Sequence, residues 1–297
     1  MKLGPNFIIV GAMKCATSTL HEQLNHQQGI FMTHLKEPNF FSNDEVFAKG
    51  LPWYRSLFEA AGTDDLCGES STHYTKLPTY PETIHRICEH FPNVKVIYVM
   101  RHPIDRLVSQ YIHEWSQRVV DVDINQAVET FPELISYSQY SMQLQPYIEN
   151  FGFSRVLPVF FERLFKYPQS ELERICSFLD YPYEPQWTEN INPQNVSRER
   201  MRKSAWRDFI VDQPVLAALR RQLVPKEFRT WVRGLWTIKK KPELSQQNIA
   251  YLKSVFDQDL STLGSYIGLP LSCDSFKQVV LDNDISWSSS IELNKKA

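Results

Sequence analysis

The chain of 297 residues lacks a marked excess of charge of either sign. Lysine and arginine total 32 against 34 aspartates and glutamates, which gives a formal net charge of -2 at pH 7. Proteins that bind nucleic acid through its phosphates generally carry a basic surplus. The overall charge balance therefore argues against a nucleic-acid partner.

Cysteines and long apolar runs are also scarce. The five cysteines are odd in number and scattered without the spacing of metal ligands, which favours reduced thiols and argues against a disulfide framework. No apolar run approaches the roughly 20 residues that span a bilayer, and only Lys2 gives a charge before the first apolar segment. We therefore expect a cytoplasmic protein without a signal peptide or a membrane-spanning helix.

The most informative stretch of the chain is residues 7–20. Its first four residues, Phe-Ile-Ile-Val, predict a buried strand, and a turn of small residues follows from Gly11. Three hydroxyl residues then stand where a helix with apolar Leu20 is predicted to begin. The N–H groups and positive dipole of a helix start favour a bound phosphate or sulfate, and Lys14 adds a full charge. The stretch therefore predicts an anion-binding loop between a strand and a helix.

Two other kinds of anion loop fit this stretch less well. The nucleoside-triphosphate P-loop has Gly, Lys and Ser or Thr where this chain has Ala16, Thr17 and Ser18, and the lysine here is displaced to Lys14. A tyrosine-phosphatase-like loop would suit Cys15, because a helix start lowers a thiol pKa, but the arginine that should follow is absent. A P-loop kinase or NTPase stays the alternative hypothesis.

A second motif lies at 94–111, where an apolar strand ends at Arg101 and Ser109 follows eight residues later on a predicted helix. The pattern Gly-x-x-Lys-x-x-Thr-x-x-Leu at 11–20 together with this motif resembles the family of sulfotransferases that use 3′-phosphoadenosine 5′-phosphosulfate (PAPS). The resemblance implies transfer of a sulfuryl group to an acceptor hydroxyl or amine, with 3′-phosphoadenosine 5′-phosphate (PAP) as product and no metal ion.

The resemblance also implies roles for individual residues. Lys14 would stabilise charge on the oxygen that bridges sulfur and phosphorus, and Cys15 would be open to alkylation beside the nucleotide. The residues implied in nucleotide binding are Lys14, Cys15, Ala16, Thr17, Ser18 and Thr19 at the 5′-phosphosulfate, Arg101 and Ser109 at the 3′-phosphate, and Ser197 and Arg198 in a basic closing loop.

Two residues compete for the general base that takes the acceptor proton. Glycan sulfotransferases of the heparan type carry a similar glutamate before a Phe-Phe pair, and Lys-Glu-Pro-Asn-Phe-Phe at 36–41 matches it with Glu37. The alternative is a solvated Lys36–Glu37 pair, and the following proline predicts an extended Glu37. Other branches of the family use histidine, which makes His73 the second candidate. Heparan-type relatives commonly have Lys at the position of Ser70, so carbohydrate, lipid and small-metabolite acceptors all stay open.

The pattern of apolar runs predicts the fold class. Strands are predicted at 7, 66, 94 and 156, each followed by helical periodicity, which indicates a three-layer α/β/α fold with a mainly parallel central sheet and a P-loop-like loop. We expect one domain over 1–297, helical at about 200–270, with a last amphipathic helix over 244–263 and a loose polar tail from about 272.

A local charge anomaly stands at 220–241, where eight lysines and arginines oppose one glutamate and two tryptophans intervene. Such a segment could contact an anionic membrane surface or an acidic substrate, although a solvated helix pair explains it as well. A non-catalytic nucleotide-binding protein that contacts membranes through this segment is therefore a further alternative. The sequence does not predict an oligomeric state.

Overall fold

The computed structural model describes residues 4–189 and 242–288. Five parallel strands form one sheet in the order β2-β3-β1-β4-β5. The strands are β1 Phe7–Gly11, β2 Ile30–Met32, β3 Leu66–Ser70, β4 Lys95–Met100 and β5 Val156–Phe160.

Helices flank this sheet, and two short 3₁₀ turns, Thr72–Thr75 and Phe153–Arg155, follow β3 and precede β5. The described helices are α1 Thr17–Asn25, α2 Asp44–Phe47, α3 Gly50–Ser56, α4 Thr83–His90, α5 Pro103–Gln117, α6 Ile124–Thr130, α7 Glu133–Ser136, α8 Tyr140–Phe151, α9 Phe161–Lys166, α10 Pro168–Phe178, α11 Gln246–Ile267 and α12 Phe276–Asp282.

The strands are almost wholly buried, as expected for a parallel sheet covered on both faces. All five residues of β1 and of β5 are buried, which explains why these segments read as continuous apolar runs rather than as alternating patterns. The predicted strands at 7, 66, 94 and 156 and the α/β fold class with a mainly parallel sheet are confirmed.

The strand order places a topological switch point between β1 and β4. The chain leaves β1 toward β2 on one side of the sheet, whereas it leaves β4 toward β5 on the other side. Open α/β sheets bind ligands in the crevice at such a point, beyond the carboxyl ends of the strands. The loop after β1 and the residues after β4 therefore lie at the place where this fold class binds its ligand.

The end of the described chain differs from the expectation of a loose polar tail. Residues after 272 include α12, whose Phe276 and Val280 are buried in the core. Trp287 packs edge-on against Phe153, and its indole N–H donates to the carbonyl of Val156 at 2.8 Å. Apolar residues spaced along a mostly polar segment anchor it, because Phe276 packs against Phe160 of β5 and Trp287 bonds Val156 of the same strand. The last long helix, predicted over 244–263, is α11, and Gly268, with a φ of 70°, caps its end after Ile267.

Several predictions concern residues that the structure does not describe. Ser197 and Arg198, the basic segment 220–241 and the predicted helical region from 200 to 241 all lie outside the described residues. Within 4–189 and 242–288, no helix is long and apolar enough to cross a bilayer, and no cluster of three or more His, Cys, Asp and Glu side chains could hold a metal ion.

Candidate functional site: an anion loop beside a carboxylate

The loop between β1 and α1 has the backbone of an anion-binding turn. Lys14 and Ala16 adopt left-handed conformations with φ values of 73° and 65°. Ala16 is the N-cap of α1, and no side chain caps the helix start. N–H groups in the first turn of a helix have no intrahelical acceptor, so they are available to an anion at the positive end of the helix dipole. Thr17 is buried, whereas Ser18 and Thr19 are partly exposed in the same turn.

Gly11 at the end of β1 allows the loop to pack against the turn after β3. A Cβ atom at this position would lie 1.9 Å from the hydroxyl oxygen of Thr75, and the φ of 153° is one that other residues rarely adopt. The Thr75 hydroxyl donates to the carbonyl of Val10 at 2.9 Å. The 3₁₀ turn Thr72–Thr75, which carries His73, is therefore fixed directly against the anion loop.

Cys15 lies in the loop but is fully buried, so the expectation of an alkylatable thiol is wrong. Burial raises the pKa of Cys15 to about 12, and the charges of Arg106 and Arg101 only partly oppose this rise. A thiol with this pKa is not a nucleophile at neutral pH. The residue contributes packing and its backbone to the loop.

Arg101 connects the second motif, at 94–111, to the loop between β1 and α1. It directly follows β4, and its Nη1 donates to the carbonyl of Lys14 at 3.4 Å. Its guanidinium also lies 4.4 Å from the centre of the Phe161 ring, which holds the side chain on one side. Tyr140 fixes the backbone of Arg101, because its hydroxyl donates to the Arg101 carbonyl at 2.6 Å. The structure thus places an arginine at the carboxyl end of β4 in contact with the anion loop.

Ser109 and Arg106 both lie on α5, with different surroundings. Ser109 is buried two turns into the helix. Arg106 is fully buried, and its guanidinium donates to Ser138 Oγ at 2.5 Å, to Gln110 Oε1 at 2.6 Å and to the Leu134 carbonyl at 3.0 Å. These bonds indicate a structural role for Arg106, because they connect α5 to α7 and to the residues that follow it.

Glu37 stands beside the end of β3, but its backbone differs from the prediction. Its φ is 56°, in the left-handed region, rather than extended. The reason is tertiary: the Glu37 N–H donates to the Ser70 carbonyl at 2.9 Å, which fixes the backbone against β3. Lys36 Nζ lies 3.1 Å from Glu37 Oε1, and the Thr72 hydroxyl donates to Glu37 Oε2 at 3.2 Å.

These partners keep the Glu37 carboxylate ionised. Burial pushes its pKa upward, but the charge and hydrogen bond of Lys36 and the hydrogen bond from Thr72 outweigh burial, so its pKa lies below the usual value. About a third of the side chain remains exposed. The carboxylate is therefore ionised and partly accessible to solvent.

His73 lies near Glu37, and its ring is confined. The imidazole stacks on Tyr80 at a centroid distance of 4.9 Å and an interplanar angle of 12°. Burial and the charge of Lys76 lower the pKa of His73 to about 4, against the opposing effect of Glu37. Its Nδ1 is buried without a hydrogen-bond partner among the described residues. His73 is therefore neutral at pH 7.

Position 70 holds a serine, which is hydrogen-bonded to a histidine, instead of a lysine. Ser70 Oγ lies 2.5 Å from Nδ1 of His21 on α1, and both side chains are buried. Burial and the charge of Lys36 lower the pKa of His21 to about 4, so this pair carries no charge at pH 7. The helix that begins at the anion loop is thereby joined to the end of β3.

The sequence-based reasoning missed two further polar residues near Glu37. The hydroxyl of Thr72 binds the carboxylate directly. Lys76 lies over the Tyr137 ring at 5.6 Å, and burial lowers its pKa although Glu114 and Glu37 oppose this shift. The polar run Glu-Ser-Ser-Thr-His at 69–73, directly after a strand, was the available signal, because the carboxyl end of each strand faces the ligand crevice.

An uncapped helix start at a switch point, an arginine directly after the neighbouring strand and an ionised carboxylate fixed to the end of β3 all lie toward the carboxyl ends of the parallel strands. The family model described as "Sulfotransferase domain" matches residues 4–264. The chain belongs to this sulfotransferase family, as the resemblance of its two motifs predicted.

Curated relatives agree with this assignment, and a solved structure shares the fold. The chain is 28% identical over 190 residues to heparan sulfate glucosamine 3-O-sulfotransferase 5 of Mus musculus, covering 60% of this chain and 54% of that protein. It is 29% identical over 185 residues to heparan sulfate glucosamine 3-O-sulfotransferase 3B1 of the same organism, covering 59% and 46%. The chain thus spans about half the length of the curated relatives it matches. A sulfotransferase structure from Alicyclobacillus acidocaldarius shares the fold, with a TM-score of 0.64, 21% identity and coverage of 90% of this chain and 97% of that one.

Proposed function

We propose that this protein transfers the sulfuryl group of PAPS to a hydroxyl or amine of an acceptor, with a carbohydrate as the first class to test. The observation that carries the proposal is the contact between Arg101 and the carbonyl of Lys14. It joins an anion loop and a second anion-binding side chain in one crevice, as a nucleotide with phosphates at both its 5′ and 3′ positions requires.

The residues of the crevice fit such a nucleotide. The uncapped start of α1 offers N–H groups to a 5′-phosphosulfate, together with the hydroxyls of Thr17, Ser18 and Thr19. Arg101 offers a planar guanidinium to the 3′-phosphate, and Ser109 on the following helix would add a hydrogen bond. With these contacts the protein would bind PAPS and PAP in preference to adenine nucleotides that lack the 3′-phosphate.

Positioning and charge stabilisation are expected to provide most of the catalysis, as in phosphoryl transfer. Bound PAPS supplies the sulfuryl group. Lys14 would stabilise negative charge on the oxygen that leaves with PAP, and Glu37 would take the proton of the acceptor hydroxyl. The ionised state of Glu37, held by Lys36 and Thr72, supports its role as the base. His73 remains the second candidate, because it too is unprotonated at pH 7.

The acceptor is inferred from the relatives, whose names specify heparan sulfate glucosamine. The cationic groups Lys36 and Lys76 near Glu37 would suit an anionic carbohydrate. The uncharged Ser70–His21 pair marks a difference at this position from the lysine expected in heparan-type enzymes, so lipids and small metabolites belong in the acceptor panel. The kinase alternative is not favoured, because the family match covers both motifs.

The test combines calorimetry with an acceptor screen. We expect PAP to bind without magnesium, whereas ATP and ADP bind at least tenfold more weakly. Incubation with radiolabelled PAPS and a panel of heparan oligosaccharides, lipids and phenols should label at least one acceptor. Glu37→Gln should abolish labelling and keep PAP binding, whereas Glu45→Gln, at an exposed glutamate on α2, serves as the matched control. Preferential binding of ATP would overturn the proposal.

A further inference from the structure

Glu69, the penultimate residue of β3, is a fully buried carboxyl group that the proposed reaction does not use. Each of its oxygens accepts a hydrogen bond from a different side. The Tyr54 hydroxyl donates to Oε1 at 3.2 Å, and the Ser71 hydroxyl donates to Oε2 at 2.8 Å. A buried acid is costly unless hydrogen-bonded, so its presence here calls for a reason beyond packing.

The Ser71 hydroxyl connects Glu69 to the segment that carries the base. Ser71 Oγ accepts a hydrogen bond from the backbone N–H of Asn39 at 3.1 Å. Because that N–H can only donate, the Ser71 oxygen acts there as the acceptor and its own proton points to Glu69. Glu69 thereby sets the direction of the hydroxyl, and the hydroxyl holds Asn39.

Residues 36–41, here called the base loop, need this support. Glu37 and Asn39 both have positive φ values, 56° and 52°, which non-glycine residues adopt at some cost. The residues that follow Glu69 contact the loop in succession: the Ser70 carbonyl accepts from Glu37 N–H at 2.9 Å, Ser71 Oγ binds Asn39, and Thr72 donates to the Glu37 carboxylate. The hydroxyl of Tyr74 accepts a longer bond of 3.4 Å from Phe41 N–H.

We propose that Glu69 is a positioning residue for Glu37, acting through the Ser71 hydroxyl to keep the base loop in its left-handed conformation. The inference rests on the proposed function, in which Glu37 is the base. Glu69 itself touches neither nucleotide nor acceptor, since it is fully buried beneath the loop.

Three single-atom or isosteric variants test this inference. Ser71→Ala removes the link between Glu69 and Asn39, and Glu69→Gln keeps the shape but retains only one acceptor oxygen. Tyr54→Phe is the matched control, because it removes a different hydrogen bond to Glu69 and leaves the link to the base loop intact. The measurements are hydrogen–deuterium exchange of the peptide covering 36–41, the affinity for PAP, the melting temperature, and kcat and KM for transfer of the labelled sulfuryl group from PAPS to the best acceptor.

We expect Ser71→Ala to accelerate exchange in the base loop and to lower kcat by about 10- to 100-fold with PAP affinity unchanged, because a slightly misplaced base is costly to the rate. Glu69→Gln should show the same pattern more weakly. Tyr54→Phe should lower the melting temperature while kcat and loop exchange stay as in the wild type.

The inference would be overturned if Ser71→Ala kept the loop exchange and the kcat of the wild type. It would also be overturned if Tyr54→Phe lost as much kcat as Ser71→Ala, because Glu69 would then have a merely structural role. Loop exchange is measurable without any reaction, so the positioning role is tested even if Glu69→Gln does not fold or if no acceptor is found. Absence of PAP binding by the wild type would instead overturn the proposed function, which separates the two failures.

Discussion

Replacing Arg101 with alanine tests the nucleotide assignment most directly. The guanidinium lies at the carboxyl end of β4, against the Phe161 ring and the Lys14 carbonyl. A hydrogen bond between charged groups is worth about 1.5–3 kcal/mol. Since 1.4 kcal/mol corresponds to a tenfold change in affinity, Arg101→Ala should weaken PAP binding by about 10- to 150-fold. The fold should be little affected, because the residue is partly exposed and its ring contact contributes only about 0.5–1 kcal/mol.

The assay is a calorimetric cycle with PAP and 5′-AMP, which lacks the 3′-phosphate, on wild type and Arg101→Ala. If Arg101 binds the 3′-phosphate, the variant loses affinity for PAP and keeps its affinity for AMP, so the coupling between the substitution and the phosphate is large. Arg155→Ala is the control, because that arginine precedes β5 and lies at the opposite end of the sheet. An equal loss for AMP would refute the reasoning and would indicate that Arg101 acts by holding the Lys14 carbonyl.

Four further outcomes are expected. Lys14→Ala should lose most turnover in single-turnover kinetics and keep its affinity for PAP; unchanged turnover would remove Lys14 from the mechanism. Glu37→Gln should lose activity at every pH, whereas His73→Gln should keep most of it, and the reverse ranking would make histidine the base. Burial raises the pKa of Glu69 to about 7, so the folded protein holds a proton that the unfolded chain releases near 4.5; the contribution of Glu69 to stability is therefore full below pH 4.5 and is lost as pH rises to 7. Over this range the free energy of unfolding of Glu69→Gln, measured by chemical denaturation, should rise by up to about 3 kcal/mol relative to that of the wild type. Parallel plots of unfolding free energy against pH for the two proteins would contradict the pKa shift. Iodoacetamide should leave Cys15 unmodified in the folded protein at pH 8, and its modification there, detected by peptide mass mapping, would contradict the buried thiol.

Much of the fold and of the anion site followed from contiguous residues. The strand, turn and helix at 7–20 depend on neighbouring side chains and on dihedral preferences, and the structure shows β1, a left-handed turn and α1 there. The strand ending before Arg101 and the helix opening at Pro103 were predictable for the same reason. Their roles in binding and catalysis remain predictions, as does the single domain over the whole chain.

The tertiary structure decided what distant segments do to each other. Pro38 predicted an extended Glu37, but the Ser70 carbonyl and the Ser71 hydroxyl hold the base loop in a left-handed conformation that no local rule suggests. Cys15 looked reactive at a helix start, yet the core buries it. Local sequence determined which segments form strands, helices and an anion loop, because those preferences act over a few residues. Apart from the neighbouring Lys36, the packing of β3 against the base loop determined which groups surround Glu37, because the hydrogen bonds from Glu37 to Ser70 and Thr72 join residues more than thirty positions apart.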